Sequence, residues 1–207
     1  MMKKKVVKKS EGLRSDKNLL VLAFDVSQER TGWALVAGMK VLTWGHLERP
    51  LGFKGVTFKD PTFSEWLHWY YEEIRSVILV CRDFGEIDYV VMEDLNTMWN
   101  KLARILFQFQ GAAKVVICKT LGTGVHLVHN KTVKSFYKIQ DKKNLISKDI
   151  INKAKKYKQK TVKIGMVDAV NKIHGTKFSY EENDEADAIG LATTFQFKQA
   201  QKESLDV

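Results

Sequence analysis

The sequence predicts one mixed α/β domain whose sheet opens as an antiparallel meander at one edge. Three observations carry this reading. Strand-like segments follow one another directly up to Leu47, short apolar runs then alternate with helix-length amphipathic segments, and the last third reads as helix alone. A chain of 207 residues, 44% hydrophobic and 11% aromatic, suits one buried core and excludes a wholly disordered protein.

Taken in order, Leu19–Asp25 (LLVLAFD) is an apolar run suited to a buried central strand. Thr31–Ala37 and Met39–Leu47 read as strands separated by Gly38, which suggests hairpin turns. Pro61–Asp83 follows Asp60, a capping residue before a first-turn proline. It continues with apolar residues at helical spacing: Trp66, Trp69/Tyr70, Ile74 and Val77/Ile78. Ile87–Met92 reads as a short buried strand, Trp99–Val116 as a helix, and Gly124–Val128 as a third buried strand. Lys131–Ile139 and Thr161–His174 read as helices joined by a lysine-rich stretch, and Asp184–Phe197 as the final helix.

No apolar run approaches the roughly 18 residues of a membrane span, and the charged N-terminus does not read as a secretory signal. Cys81 and Cys118 stand alone in apolar stretches, with no CxxC pair, so neither a zinc site nor a disulfide framework is expected. A cytoplasmic location, in a bacterial cell or a phage-infected host, fits best.

The net charge is +10, and its distribution says more than its total. Residues 1–17 carry +5 and residues 131–163 carry +10, which leaves −5 for everything else. A neutral-to-acidic body with two basic patches suits a protein that grips a polyanion around an acidic centre.

That centre is legible as four costly carboxylates. Asp25 ends one apolar strand and Glu93 ends another (YVVMED). A carboxylate at the end of a buried strand loses hydration and needs a metal, an arginine or N–H donors. The last helix opens EENDEADAIGLATTFQF, where Asp184, Asp187/Ala188, Leu191 and Phe195 form one stripe. Two strand-end acids plus an Asp-x-x-Asp on the inner side of a helix make a hard-oxygen ligand set suited to Mg²⁺ or Mn²⁺. On a basic body, the natural chemistry is two-metal phosphodiester hydrolysis. Converging carboxylates cannot all stay ionised without a cation, so some pKa values should rise when metal is absent. His126, His129 and His174 read as structural.

At these residues the sequence resembles the RuvC family of Holliday-junction resolvases, within the RNase H-like superfamily. The segment Asp25-Val-Ser-Gln-Glu-Arg-Thr31-Gly32-Trp33 resembles the family's strand-end Asp followed by Thr-Gly-aromatic. Val90-Val-Met-Glu93 resembles its Glu-bearing strand, and Asp184-Glu-Ala-Asp187-Ala its Asp-x-x-Asp-Ala helix. Lys131-Thr-Val-Lys134 and Lys160-Thr-Val-Lys-Ile-Gly-Met166 resemble segments bearing site lysines, which points to Lys134 and Lys160. Order and spacing agree from about Leu19 to Phe195.

There are departures. Ser27 stands where the family has Gly, residues 1–17 are an added basic tail, and the stretch between Lys134 and Lys160 is longer, as in variants carried by bacteriophages. No aromatic wedge clearly follows the Glu; Leu95, Met98 and Trp99 are candidates.

The resemblance implies an RNase H-like mixed five-stranded sheet, its first three strands antiparallel and the rest parallel, flanked by helices. It implies a nuclease domain over residues 18–198 with a lysine-rich insertion near 141–160, and tails at 1–17 and 199–207. It further implies an endonuclease that nicks branched DNA, above all four-way junctions, symmetrically as a homodimer, with no small-molecule cofactor and no membrane. Asp25 would bridge two Mg²⁺ ions (Mn²⁺ substituting), Glu93 completing one and Asp184/Asp187 the other. Lys134 and Lys160 would face the scissile phosphate as point charges. Lys131, Lys142, Lys143, Lys153, Lys155, Lys156, Lys158 and Lys163, with those two, would contact DNA phosphates. The alternatives are a nuclease of this fold acting on forks, flaps or RNA–DNA hybrids, and a non-catalytic DNA-binding protein. A two-fold dimer face would come from the aromatic-rich helix (Trp66, Trp69, Tyr70, Tyr71) or from the Leu102–Val115 helix.

Overall fold

A computed structural model of the chain describes residues 19–57, 59–95, 101–139 and 146–203. Five strands form one sheet: β1 (Leu20–Asp25), β2 (Arg30–Ala37), β3 (Lys40–Glu48), β4 (Tyr89–Glu93) and β5 (Val125–Val128). The spatial order is β3-β2-β1-β4-β5. β1–β2 and β2–β3 pair antiparallel, whereas β1–β4 and β4–β5 pair parallel. The mixed sheet with its antiparallel edge is therefore as the sequence predicts. Among the described residues, no helix is long and apolar enough to cross a membrane.

Helices cover both faces, because β1, β2 and β4 are buried on both sides. Leu20, Leu22, Phe24, Trp33, Leu35, Val90 and Met92 face one way. They pack on α1 (Phe63–Arg82) and α2 (Lys101–Leu121). Val21, Ala23, Ala34, Val36 and Val91 face the other way. They pack with residues of α3 (Asn130–Phe136), α5 (Thr161–His174) and α6 (Asn183–Glu203). The alternation along each strand is the period of two that a pleated backbone imposes.

Three local expectations are corrected. β5 is only partly buried: it is the sheet edge, with His126 exposed, Leu127 45% exposed and Val128 buried. Asp60 does not cap α1 with its side chain; its Oδ2 accepts from the Thr57 N–H and hydroxyl, closing a turn before the helix. The lysine-rich stretch contains a further helix, α4 (Lys148–Tyr157), capped by the Ser147 hydroxyl on the Ile150 N–H. Lys153 of α4 ties it to α5 through Asp168, at 3.0 Å.

The aromatic stripe of α1 is core. Trp66 and Tyr70 are buried against Phe109 of α2, with ring centroids 4.6 Å apart in both pairs. Trp69 and Tyr71 are half-buried against the same core.

Candidate metal centre

β1 and β4 are adjacent parallel strands, so their C-terminal ends lie at the same edge of the sheet. Asp25 and Glu93 are the last residues of these two strands. This is the crevice where open α/β sheets place their ligands.

The helix α6 brings the other two acids to that edge, and Gly32 is what allows it. Gly32 pairs with Asp25 across the β1–β2 ladder. A Cβ built on Gly32 would overlap the backbone carbonyl of Asp184. The missing side chain thus sets strand β2 directly against the first turn of α6, and Asp25 and Asp184 are brought together through one glycine.

The result is a cluster in which Asp25, Asp184 and Asp187 each offer a carboxylate oxygen, all within 4.8 Å of one another. Glu93 lies outside that tight group but lines the same cavity of about 150 Å³, together with Asp25, Asp187, Asn130 and Lys163. Asn130 donates to Glu93 Oε1 at 2.7 Å, while its own Oδ1 is buried with no partner. The turn after Asp25 is pinned from the opposite face of the sheet. There Thr31 Oγ1 bonds the Ser27 carbonyl at 3.1 Å and the Tyr70 hydroxyl at 3.2 Å. Burial holds the Tyr70 hydroxyl protonated well above the usual range, and the charge of Asp25 adds to this.

Lys163 of α5 supplies a positive charge. Its Nζ donates to Asp184 Oδ1 at 2.9 Å and to Asp187 Oδ2 at 2.8 Å. One ammonium does not neutralise the cup. Burial pushes the Asp25 carboxyl well above 3.8, the charge of Asp187 adds to this, and Glu93 and Asp184 contribute while Lys163 opposes. Asp187 is raised for the same first reason, against the pull of Lys163. Lys163 itself is raised, since the three aspartates outweigh its loss of hydration. Half-buried oxygen donors with surplus negative charge, bridged by one lysine, fit a divalent cation.

The lysine at the carboxylates is thus Lys163, for which the resemblance implies a DNA phosphate. Lys160 is the N-cap residue of α5, one turn earlier, and is exposed. Lys134 lies in the last turn of α3 and is half-buried. Lys131, Lys155, Lys156 and Lys158 are exposed, as a phosphate contact requires. Lys153 pairs with two aspartates, at 2.9 Å from Asp149 and 3.0 Å from Asp168. Lys142, Lys143 and the wedge candidates Met98 and Trp99 lie outside the described residues.

Two features had no sequence signal. Asn130 immediately precedes the Lys131 motif but carries no pattern of its own. The second is a cluster of Arg30, His46 and Glu185, contributed by β2, β3 and α6. Glu185 Oε1 lies 2.7 Å from both Arg30 Nη2 and His46 Nδ1. Burial opposes its ionisation, yet the His46 hydrogen bond and the Arg30 charge hold its carboxyl below the usual range. Of the three histidines read as structural, His174 bonds the Met39 carbonyl at 2.9 Å and the Tyr137 hydroxyl at 3.0 Å. His129 caps α3 by accepting from the Lys131 N–H.

No protein-family model and no curated protein matches the sequence. Solved structures do match the fold. RuvC of Thermus thermophilus in complex with Holliday-junction substrate superposes with a TM-score of 0.61 at 17% identity, over 88% of this chain and 96% of that one. A second Thermus thermophilus RuvC structure gives 0.61 at 16% identity, over 89% and 97%. The chain thus has an RNase H-like mixed α/β fold. Within that class, its fold is that of RuvC.

Proposed function

We propose that the protein is a metal-dependent, structure-selective endonuclease that resolves four-way DNA junctions by paired symmetric nicks. One observation carries this reading: Asp25, Asp184 and Asp187 converge within 4.8 Å at the strand ends of a RuvC-type sheet. The net charge of +10 supports a polyanionic substrate.

Asp25, Glu93, Asp184 and Asp187 would hold two Mg²⁺ ions; Mn²⁺ would substitute. When bound, the ions supply Lewis acidity and an acidified water for in-line attack at phosphorus. The chain's own work is positioning. Gly32 and the Thr31–Tyr70 bond fix Asp25 relative to α6, and Asn130 holds Glu93. Lys163, with Lys134 and Lys160, would neutralise the phosphate as point charges. Lys131, Lys155, Lys156 and Lys158 would track the backbone without reading sequence.

A four-way junction has two scissile strands related by a two-fold axis, so symmetric cutting calls for a two-fold dimer. The outer face of α2 suits a second copy. Phe107 and Val115 are 45% and 49% exposed, and Gly111 and Cys118 continue the same stripe. A Cβ at Gly111 would meet nothing within 4 Å, so a partner helix has room to approach there. Val115→Glu should yield a monomer by sedimentation that still nicks DNA but no longer makes paired cuts.

The test is Mg²⁺-dependent cleavage of matched four-way, three-way and duplex DNA. Asp25→Asn is expected to abolish cleavage while junction binding persists or tightens, because a ligand and a charge facing phosphate are both removed. Full turnover by that variant would sink the proposed site. Preferential cutting of forks, flaps or RNA–DNA hybrids would move the protein to another substrate with the same chemistry.

A further inference from the structure

Asp184 and Glu185 are consecutive at the start of α6 but point to different surroundings, as neighbours about 100° apart on a helix must. Asp184 reaches into the metal cup. Glu185 turns to the β2–β3 hairpin, where its side chain is only 3% exposed. Between them lies Arg30. Its Nη2 donates to Glu185 Oε1 at 2.7 Å, its Nη1 to the Glu181 carbonyl at 2.7 Å, and its Nε stands 3.6 Å from Asp184 Oδ2. The other oxygen of Asp184 belongs to Lys163.

We infer that Arg30 and Glu185 are a positioning pair for the metal centre, in which Glu185 neutralises the guanidinium so that Arg30 steers Asp184 without occupying it. The inference rests on the two-metal reading. An unpaired guanidinium beside a ligand carboxylate would bind it and compete with the incoming cation. With Glu185 in place the pair is close to neutral, and the fork of Arg30 is tied at two other points. His46 supports Glu185 from β3, its Nδ1 2.7 Å from Oε1. Glu185 does not join the cup: its Oε1 is taken by Arg30 and His46 on the β2–β3 side. Partners one step removed from a metal commonly govern its affinity in this way.

The experiment is Mn²⁺ binding to the full-length protein by titration calorimetry, with DNA cleavage as a second readout. Glu185→Gln should weaken Mn²⁺ binding about tenfold or more. The double variant Arg30→Gln/Glu185→Gln should recover most of that loss, because the competing charge has gone. A merely structural role predicts the reverse, with the double variant worse than either single one. Unchanged affinity in Glu185→Gln, or no recovery in the double variant, overturns the inference while leaving the metal centre standing. Wild-type protein that binds no Mn²⁺ overturns both. Circular dichroism confirms folding. If Glu185→Gln does not fold, Glu185→Asp should show a smaller loss in the same direction, and wild-type affinity there overturns the inference.

Discussion

The two faces of the sheet are built from different residues and do different work. Towards α1 and α2 the packing side chains are large: Trp33, Phe24, Trp66, Tyr70, Ile74 and Phe109. Towards α5 and α6 the strand residues are smaller, Val21, Ala23, Ala34, Val36 and Val91, and they pack with Ala186, Ala188 and Ala192 of α6. Large side chains bury the most apolar area, and aromatic pairs add to it. Small ones bury less but let backbones approach, and at Gly32 the approach is so close that no Cβ fits. One face holds the molecule together, and the other spaces its carboxylates.

That contrast is most sharply tested by two glycines on neighbouring strands. Gly32→Ala, on the α6 side, should displace the first turn of α6 and cut the cleavage rate by about 100-fold or more, as ångström-scale misplacement does. Gly45→Ala, whose Cβ would press on the Trp33 ring at 2.8 Å, should cost about 1–3 kcal/mol of stability and leave the chemistry alone. Equal losses of cleavage in the two variants would erase the distinction.

Phe109→Ala examines the aromatic face. A buried residue touching Phe63, Trp66 and Tyr70 should cost about 3–5 kcal/mol in denaturant unfolding, with cleavage per folded molecule unchanged.

The α6 side should also make the metal-free protein sensitive to pH. Asp25 and Asp187 titrate higher folded than their ordinary value of 3.8, so the folded state binds more protons than the unfolded state above that pH. Stability should then fall as pH rises from 3.8 to the raised pKa values and level off beyond them. Mg²⁺ should remove the decline and Asp25→Asn should reduce it. Thermal melts that stay flat with pH in metal-free buffer would contradict the upward shifts of Asp25 and Asp187.

The smallest effect is expected at α4, outermost on the α5 side. Replacing Lys155, Lys156 and Lys158 by Ala should leave the cleavage chemistry intact. It should reduce the slope of log K against log salt by about one for every lysine that faces a phosphate in the complex. An unchanged slope would place those lysines away from DNA.

Much of the frame is legible because burial leaves a period in the sequence. β1 and β4 read as apolar runs closed by an acid, α5 reads as Thr161–His174 and has those bounds, and the inner stripe of α6 places Asp184 and Asp187 together. Other features leave weaker marks. α4 is hidden by its lysines, although Ser147 and the spacing of Ile150, Ile151 and Ala154 signal a capped helix. The edge position of β5 cannot be told from a buried strand in four residues. Lys160 caps α5 and Lys163 lies three residues further on in its first turn, so only packing shows which of them meets the carboxylates.

By itself, the chain determined which segments fold and which acids stand where acids are costly, because hydrophobic periodicity and the expense of a buried charge are local properties. Only the tertiary structure decided how those acids meet. It laid α6 on Gly32, put Lys163 between Asp184 and Asp187, and joined Arg30, His46 and Glu185 from three elements. Such meetings join residues as far apart as Arg30 and Glu185, 155 positions along the chain, which no local spacing encodes.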